Sequence, residues 1–452
     1  MLKKRFLLIP IGAVVVALLS YRLAGFDGAN SRPNRPAAAV VQDPVTQPGL
    51  PAAGTAIGAA DISDTDSRIS FWQARIKANP KSDAQYQYLG QLFALKGRQT
   101  GDVAQYALAT QAFEKAIELF PGNVAARIGL AVNLVTLHRW SDAIDQGKQI
   151  LQSDLRAIGA VAVIGDASLE IGDLDTARAA FETLRQKADG PSVESRFARI
   201  AFLTGKTDQA IQILDGAAQS AADLNGSLEE QAFYHYSAGE YRFSKGDVDG
   251  AEREFESALG TLPNYYLALA GRGRVAFARG DVEGAIGFYR AAVAIIPKPE
   301  LLAYLGDLYA VKGDQADAEE QYQAVEFIAK LSEIQAQVFN REIALFEATH
   351  HRATAHAVEI AVAELETRKD IYGYDAAAWA LYNDNQADKA LAPAQRAQLL
   401  GTQDPKLLYH LGMIELALGR AADGQGHLRD ALALNPGFDP LGAAAARQAL
   451  GQ

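Results

Sequence analysis

The sequence predicts an all-α fold: a superhelical solenoid of about ten α-α pairs, preceded by one N-terminal membrane helix and a linker. Three observations predict it. The segment 232–327 repeats itself, with Gly239 recurring as Gly273 and then Gly306, steps of 34 and 33 residues. Ala is the commonest of the hydrophobic residues that make up 49% of the chain, β-branched runs are short, and Pro is scarce after Pro51, all of which favours closely packed helices over sheet. The N-terminus is basic and then apolar, unlike anything that follows it.

Lys3, Lys4 and Arg5 precede an apolar run from Phe6 to Leu19. A basic stretch before an apolar core marks a secretory signal or a signal anchor. The run spans about 21 Å as a helix, and extending it to Phe26, with Arg22 reaching back to the interface, gives about 31 Å, the hydrocarbon thickness. Cleavage needs small residues at −3 and −1; Leu23-Ala24-Gly25 and Leu18-Leu19-Ser20 place a large residue at −3. Residues 1–26 are therefore expected to be an uncleaved anchor, with a cleaved signal as the alternative. Positive charge ahead of the span keeps the N-terminus cytoplasmic and sends the body outside, to the periplasm of a cell envelope. Residues 27–66 carry Pro33, Pro36, Pro44, Pro48 and Pro51 among Ala, Gly and Val with no helical period, and read as a linker.

The repeat occupies 67–438. Gly246 recurs as Gly280 and Gly313, Ala251 as Ala285 and Ala318, Phe255 as Tyr289 and Tyr322, and Pro263 as Pro297. Each has a physical reason. Gly239 and Ala251 stand where two helices cross closest, and only small side chains permit that approach. Gly246 and its counterparts end the first helix in a left-handed cap. Asp247, Asp281 and Asp314 follow and can cap the second helix. The aromatic packs against the next unit, and the Pro stops the second helix. Upstream, Leu89-Gly90 with Ala109, Phe113 and Pro121 forms a unit stretched around Thr100-Gly101-Asp102; downstream, Gly412, Gly419, Gly424, Leu428 and Pro436 form the last one. The stretch 219–229 reads as a longer polar segment. Residues 439–452 read as a closing helix over the last apolar face.

This pattern resembles the tetratricopeptide repeat, a unit of two antiparallel helices with a small residue in each and an aromatic in the second. The whole also resembles bacterial membrane-anchored multi-repeat envelope proteins. The resemblance implies that first helices line a concave groove. Carried over position by position, it implies partner-binding residues Tyr236, Glu240, Arg274, Phe277, Asp307, Asp375, Trp379, Tyr382, Asn383 and Tyr409. The ninth-unit set of Asp375, Trp379, Tyr382 and Asn383 suits a peptide, since rigid aromatic anchors dominate such interfaces. A clamp for a terminal carboxylate of the chaperone-tail type is argued against, because no ninth position carries the Asn that such clamps use.

Other chemistries find little support. The formal net charge of −11 and the lack of a basic stripe argue against nucleic acid and favour basic partners. The chain has no Cys, which excludes disulfides, thiolate nucleophiles and zinc ribbons. Gly205-Lys206-Thr207 and Gly271-Arg272-Gly273 imitate nucleotide loops, yet each falls inside the repeat pattern, and no strand precedes the second. His350, His351 and His356 cluster near a turn without a metal-binding spacing. No catalytic set assembles, and no cofactor or metal is expected. The expected role is a non-enzymatic scaffold for a protein or peptide partner, tethered to the membrane; the alternatives are an accessory or sensory subunit for a small molecule or metal, and a structural spacer.

Overall fold

The computed structural model describes residues 59–334 and 340–452, so the expected anchor and all but the last residues of the expected linker lie outside it. Helix α1 (Ala59–Ala78) begins inside the stretch read as linker. Ten antiparallel pairs follow: α2 (Asp83–Thr100) with α3 (Val103–Leu119), α4 (Val124–Thr136) with α5 (Trp140–Ser153), α6 (Ile158–Glu170) with α7 (Leu174–Arg185), α8 (Pro191–Leu203) with α9 (Thr207–Asp223), and α10 (Leu228–Ser244) with α11 (Val248–Thr261). The array continues with α12 (Tyr266–Ala278) and α13 (Val282–Ile295), α14 (Pro299–Lys312) and α15 (Gln315–Ile334), α16 (Asn340–Thr349) and α17 (Thr354–Glu364), α18 (Ile371–Asn383) and α19 (Ala387–Ala397), and α20 (Pro405–Ala417) and α21 (Ala421–Leu434). The short α22 (Gly442–Ala449) closes the stack. Among the described residues there is no strand, and no helix is long and apolar enough to cross a membrane.

The packing follows the sequence logic. Phe255 is fully buried, with its ring against Gly239 in its own unit and Gly271 in the next; a Cβ on either glycine would come within 2.6 Å of that ring. Burying such a side chain contributes about 2–3 kcal/mol. Phe113 sits in the same way between Gly90 and Gly129. Asp247 and Asp281 accept from the amides of Gly250 and Gly284 at 2.9 and 2.8 Å, capping α11 and α13, each worth about 1 kcal/mol. The stretched first unit is a longer α2, ended by left-handed Gly101 and followed by Asp102, which caps α3. The polar stretch 219–229 is not a loop throughout. Helix α9 runs on to Asp223 because Ala217, Ala218 and Ala221 are buried.

One feature of the superhelix has no counterpart in the repeat pattern. Its second turn stacks on its first. Loops that join late units meet the tight turns of early ones: Lys369 N–H donates to the Ile171 carbonyl at 3.1 Å, and Thr402 Oγ1 to the Leu203 carbonyl at 2.6 Å. Ser244 Oγ donates to the Gln403 carbonyl at 2.6 Å, and buried Asn435 donates through Nδ2 to the Phe243 carbonyl at 2.7 Å. Arg368 reinforces this seam. It bonds Glu170 at 2.6 Å and Asp370 at 2.8 Å, and stacks over Trp140 at 4.8 Å. Glycines 172, 205 and 246 allow the approach, since a Cβ there would lie 2.1–2.4 Å from a carbonyl oxygen of the opposing loop.

Candidate binding lumen

Stacking the turns walls the concave groove across its open side. The first helices α8 to α20 then face a lumen with two adjoining chambers of about 800 and 400 Å³. Glu300, Glu342, Tyr372, Asp404, Lys406 and Phe438 line both. The volumes fall in the range of ligand sites.

The smaller chamber is basic. Arg199, Arg274, Lys298, Arg341, Arg368 and Lys406 face five carboxylates, in a chain whose formal net charge is −11. Arg274 is ion-paired with Glu240, and Lys298 with Glu300 at 3.1 Å. Burial disfavours the charge on both, but Glu240 and Glu300 more than offset it and hold both pKa values above the ordinary range. Arg199 lies 6.0 Å over the Tyr372 ring; burial disfavours its charge, but Tyr241 and Tyr372 offset this and hold its pKa above the ordinary range. His138 is pushed down to about 4, first by burial and then by Arg368, so it is neutral at pH 7.

The larger chamber is acidic and aromatic. Glu300, Asp307, Glu342, Asp375, Asp404 and Asp439 face Lys406 alone among lysines and arginines, with seven aromatic rings around them. Asp307 accepts from Tyr322 at 2.8 Å and pairs with His350 at 2.7 Å. Asp375 pairs with His410 at 2.9 Å. Burial raises the pKa of Asp307 and Asp404; the nearby Asp375 pushes Asp404 in the same direction. Asp439 is lowered because Lys406 and the amides of Leu441 and Gly442 outweigh its burial. Tyr304, 9% exposed, has no hydrogen-bond partner for its hydroxyl.

Nine of the ten groove residues read from the sequence line this lumen. Tyr236, Glu240 and Arg274 line the basic chamber; Asp307, Asp375, Trp379, Tyr382, Asn383 and Tyr409 line the acidic one. Phe277 lies outside both and packs on the core of α8–α14. Trp379 is 5% exposed, stacked on His410 at 4.0 Å and Tyr382 at 5.1 Å, and donates through Nε1 to Thr349 at 2.9 Å. It shapes the wall more than it offers a surface. The three histidines of the turn do not converge: His350 binds Asp307, His356 binds Glu347, and His351 has left-handed φ. Among the described residues no three His, Asp or Glu side chains gather as metal ligands.

The repeat positions do not reveal Arg368, Asp404 and Asp439. These stand in the loops between units, where Asp404 caps α20 and Asp439 accepts from the amides of Leu441 and Gly442. An acidic residue before a first helix was the available signal, because an N-cap at the groove end of that helix can also face the lumen.

Fold and lumen together define an α-α superhelical repeat protein with an internal cavity. Residues 236–300 match the family model described as tetratricopeptide repeat. No curated protein sequence matches it. Among solved structures it is similar to the human IFIT1 dimer with m7Gppp-AAAA, at 15% identity and a TM-score of 0.48, over 74% of this chain and 77% of that one. It is also similar to a tetratricopeptide repeat protein from Parabacteroides merdae, at 16% identity and 0.38, over 54% and 92%. A third is YrrB, described as having an unusual peptide-binding site, at 18% and 0.28, over 42% and 94%. All three fall below a TM-score of 0.5, and nothing about ligand or partner passes from them to this chain.

Proposed function

We propose that this protein is a non-catalytic scaffold that holds a segment of a protein partner inside the lumen of its superhelix. Tetratricopeptide repeats generally mediate protein–protein interaction, and the match of residues 236–300 to that repeat supports such a role for this chain. The observation that supports the finer reading is the convergence of nine groove residues from α10, α12, α14, α18 and α20 on one walled space. A spacer has no need of buried charges arranged around a cavity, which cost several kcal/mol to desolvate. The N-terminal sequence supports a tether: residues 1–26 anchor the chain in the cell membrane, 27–66 lift the repeats off it, and the repeats lie outside the cytoplasm, in the periplasm.

Photo-cross-linking in intact cells tests the partner. With p-benzoylphenylalanine in place of Asn383, a discrete protein adduct is expected. The same probe at Glu256, on the second-helix face, should not form it. Identical adducts from both positions, or none from 383, would remove the lumen as the binding site. The tether is tested separately by a C-terminal alkaline phosphatase fusion, active outside the cytoplasm and inactive within it. An inactive, full-length fusion refutes the proposed orientation.

A further inference from the structure

We propose that the larger chamber is a subsite for an organic cation, namely the ammonium of a lysine or the guanidinium of an arginine side chain carried by the bound peptide. This rests on the peptide-holding reading above and gives it a chemistry. The charge of the lining favours a cation. Six carboxylates line the chamber against one lysine and three histidines. Glu300 is paired with Lys298 at the wall shared with the basic chamber, and the lining still keeps a negative excess whether the three imidazoles are protonated or neutral. Acids held this close inside a poorly solvated space disfavour one another's ionisation, and a cation among them relieves that cost. Burial, and then the nearby Asp375, raise the pKa of Asp404 above the ordinary carboxylate range.

The Tyr304 hydroxyl is buried on the chamber wall with no partner. An orphan polar group of this kind is costly, and a ligand that brings an N–H donor satisfies it. Asp307 stands on the same helix one turn on, and its Oδ1 already accepts from Tyr322 and pairs with His350. The Tyr304 oxygen is shielded from solvent, so a ligand donor reaches it only when the ring shifts toward the chamber, where the field of Asp307 lies behind it.

The aromatic lining favours a cation as well. Tyr372 and Tyr382 remain half-buried, with ring surface left to the chamber. A cation beside such rings gains a further attraction, and the methylenes of a lysine or arginine stem suit the apolar wall. A carboxylate or phosphate ligand would gain none of these, and would face the like charges of the lining.

Isothermal titration of the full chain with capped pentapeptides tests the proposal, the central residue being Lys, Arg, norleucine or Glu, with n-butylammonium as the free amine. The Lys and Arg peptides are expected to bind about tenfold or more tighter than the norleucine and Glu peptides. Asp404→Asn should weaken the Lys peptide about three- to tenfold while leaving the norleucine peptide unchanged. Asn is as good an N-cap as Asp, so α20 keeps its cap and the variant keeps its fold. Tyr304→Phe should weaken the Lys peptide about threefold, with unchanged thermal melting as the control. Equal binding of Lys and norleucine peptides overturns the cation subsite and leaves peptide binding standing. Binding of n-butylammonium with no peptide bound upholds the subsite and overturns the peptide reading. Preference for the Glu peptide, or no binding by any probe, overturns the subsite.

Discussion

Gly246 and Gly280 occupy the same position of successive units and have the same φ, +83°. They differ only in what lies beyond them. A Cβ at Gly280 meets nothing within 4 Å, whereas a Cβ at Gly246 lies 2.1 Å from the Leu434 carbonyl oxygen of the stacked turn. Gly280→Ala therefore pays only the left-handed backbone cost, ~1–2 kcal/mol. Gly246→Ala has the same cost and must also push the opposing loop back by more than an ångström, to the ordinary contact range that begins at 3.4 Å. That loop carries Asn435, whose side chain is 0% exposed and donates to the Phe243 carbonyl at 2.7 Å. Losing this buried bond adds ~1–3 kcal/mol. Stability is not a single two-state quantity in a long repeat array, so the assay should be local. Hydrogen-exchange mass spectrometry should show faster exchange at 400–404 and 434–438 in Gly246→Ala, but not in Gly280→Ala. Urea denaturation should place Gly246→Ala lower by the difference. Equal losses in urea together with unchanged exchange in both loops would mean that the seam contributes nothing to stability, and the argument for a walled lumen would fall with it.

Other perturbations probe the core and the lumen. Arg196, 0% exposed, grips Asp166 through Nε at 3.0 Å and Nη2 at 2.8 Å. Asp166→Ala should cost ~3–5 kcal/mol by stranding the guanidinium, and Arg196→Met with Asp166→Leu should recover most of it, as read by urea titration. His138 has a folded pKa of about 4 against an ordinary 6.5. The unfolded chain takes up the proton first as pH falls, so its contribution is complete above pH 6.5 and is lost progressively down to about 4. The loss amounts to ~2–3 kcal/mol. His138→Gln should flatten the stability profile between pH 4 and 6.5, and an unaltered slope would count against the neutral imidazole. Phe255→Ala should cost ~3–5 kcal/mol, because two glycines facing the ring leave a cavity that no side chain can fill.

The pair fold was legible because each unit states the same steric demands in the same order. Gly239 beneath Phe255, and Asp247 before Gly250, are local facts that recur at a fixed step, and recurrence is what a sequence displays. The groove-facing residues followed from helical position, which is why nine of the ten reached the lumen. Phe277 did not, since a position in one helix says nothing of how far the next helix swings over it. The seam was not legible, for a physical reason. Contacts such as Thr402 with Leu203 join residues about two hundred apart, and closure depends on small rotations accumulated over six units. Its strongest local sign was hidden by a second role. Gly172, Gly205 and Gly246 are already required as helix caps, so their presence cannot also announce the backbone that passes beside them. A residue required for two reasons carries the sequence signal of only one. The informative substitution is therefore the one that separates the roles, and the contrast between Gly246 and Gly280 does so because the cap is common to both and the opposing loop is not.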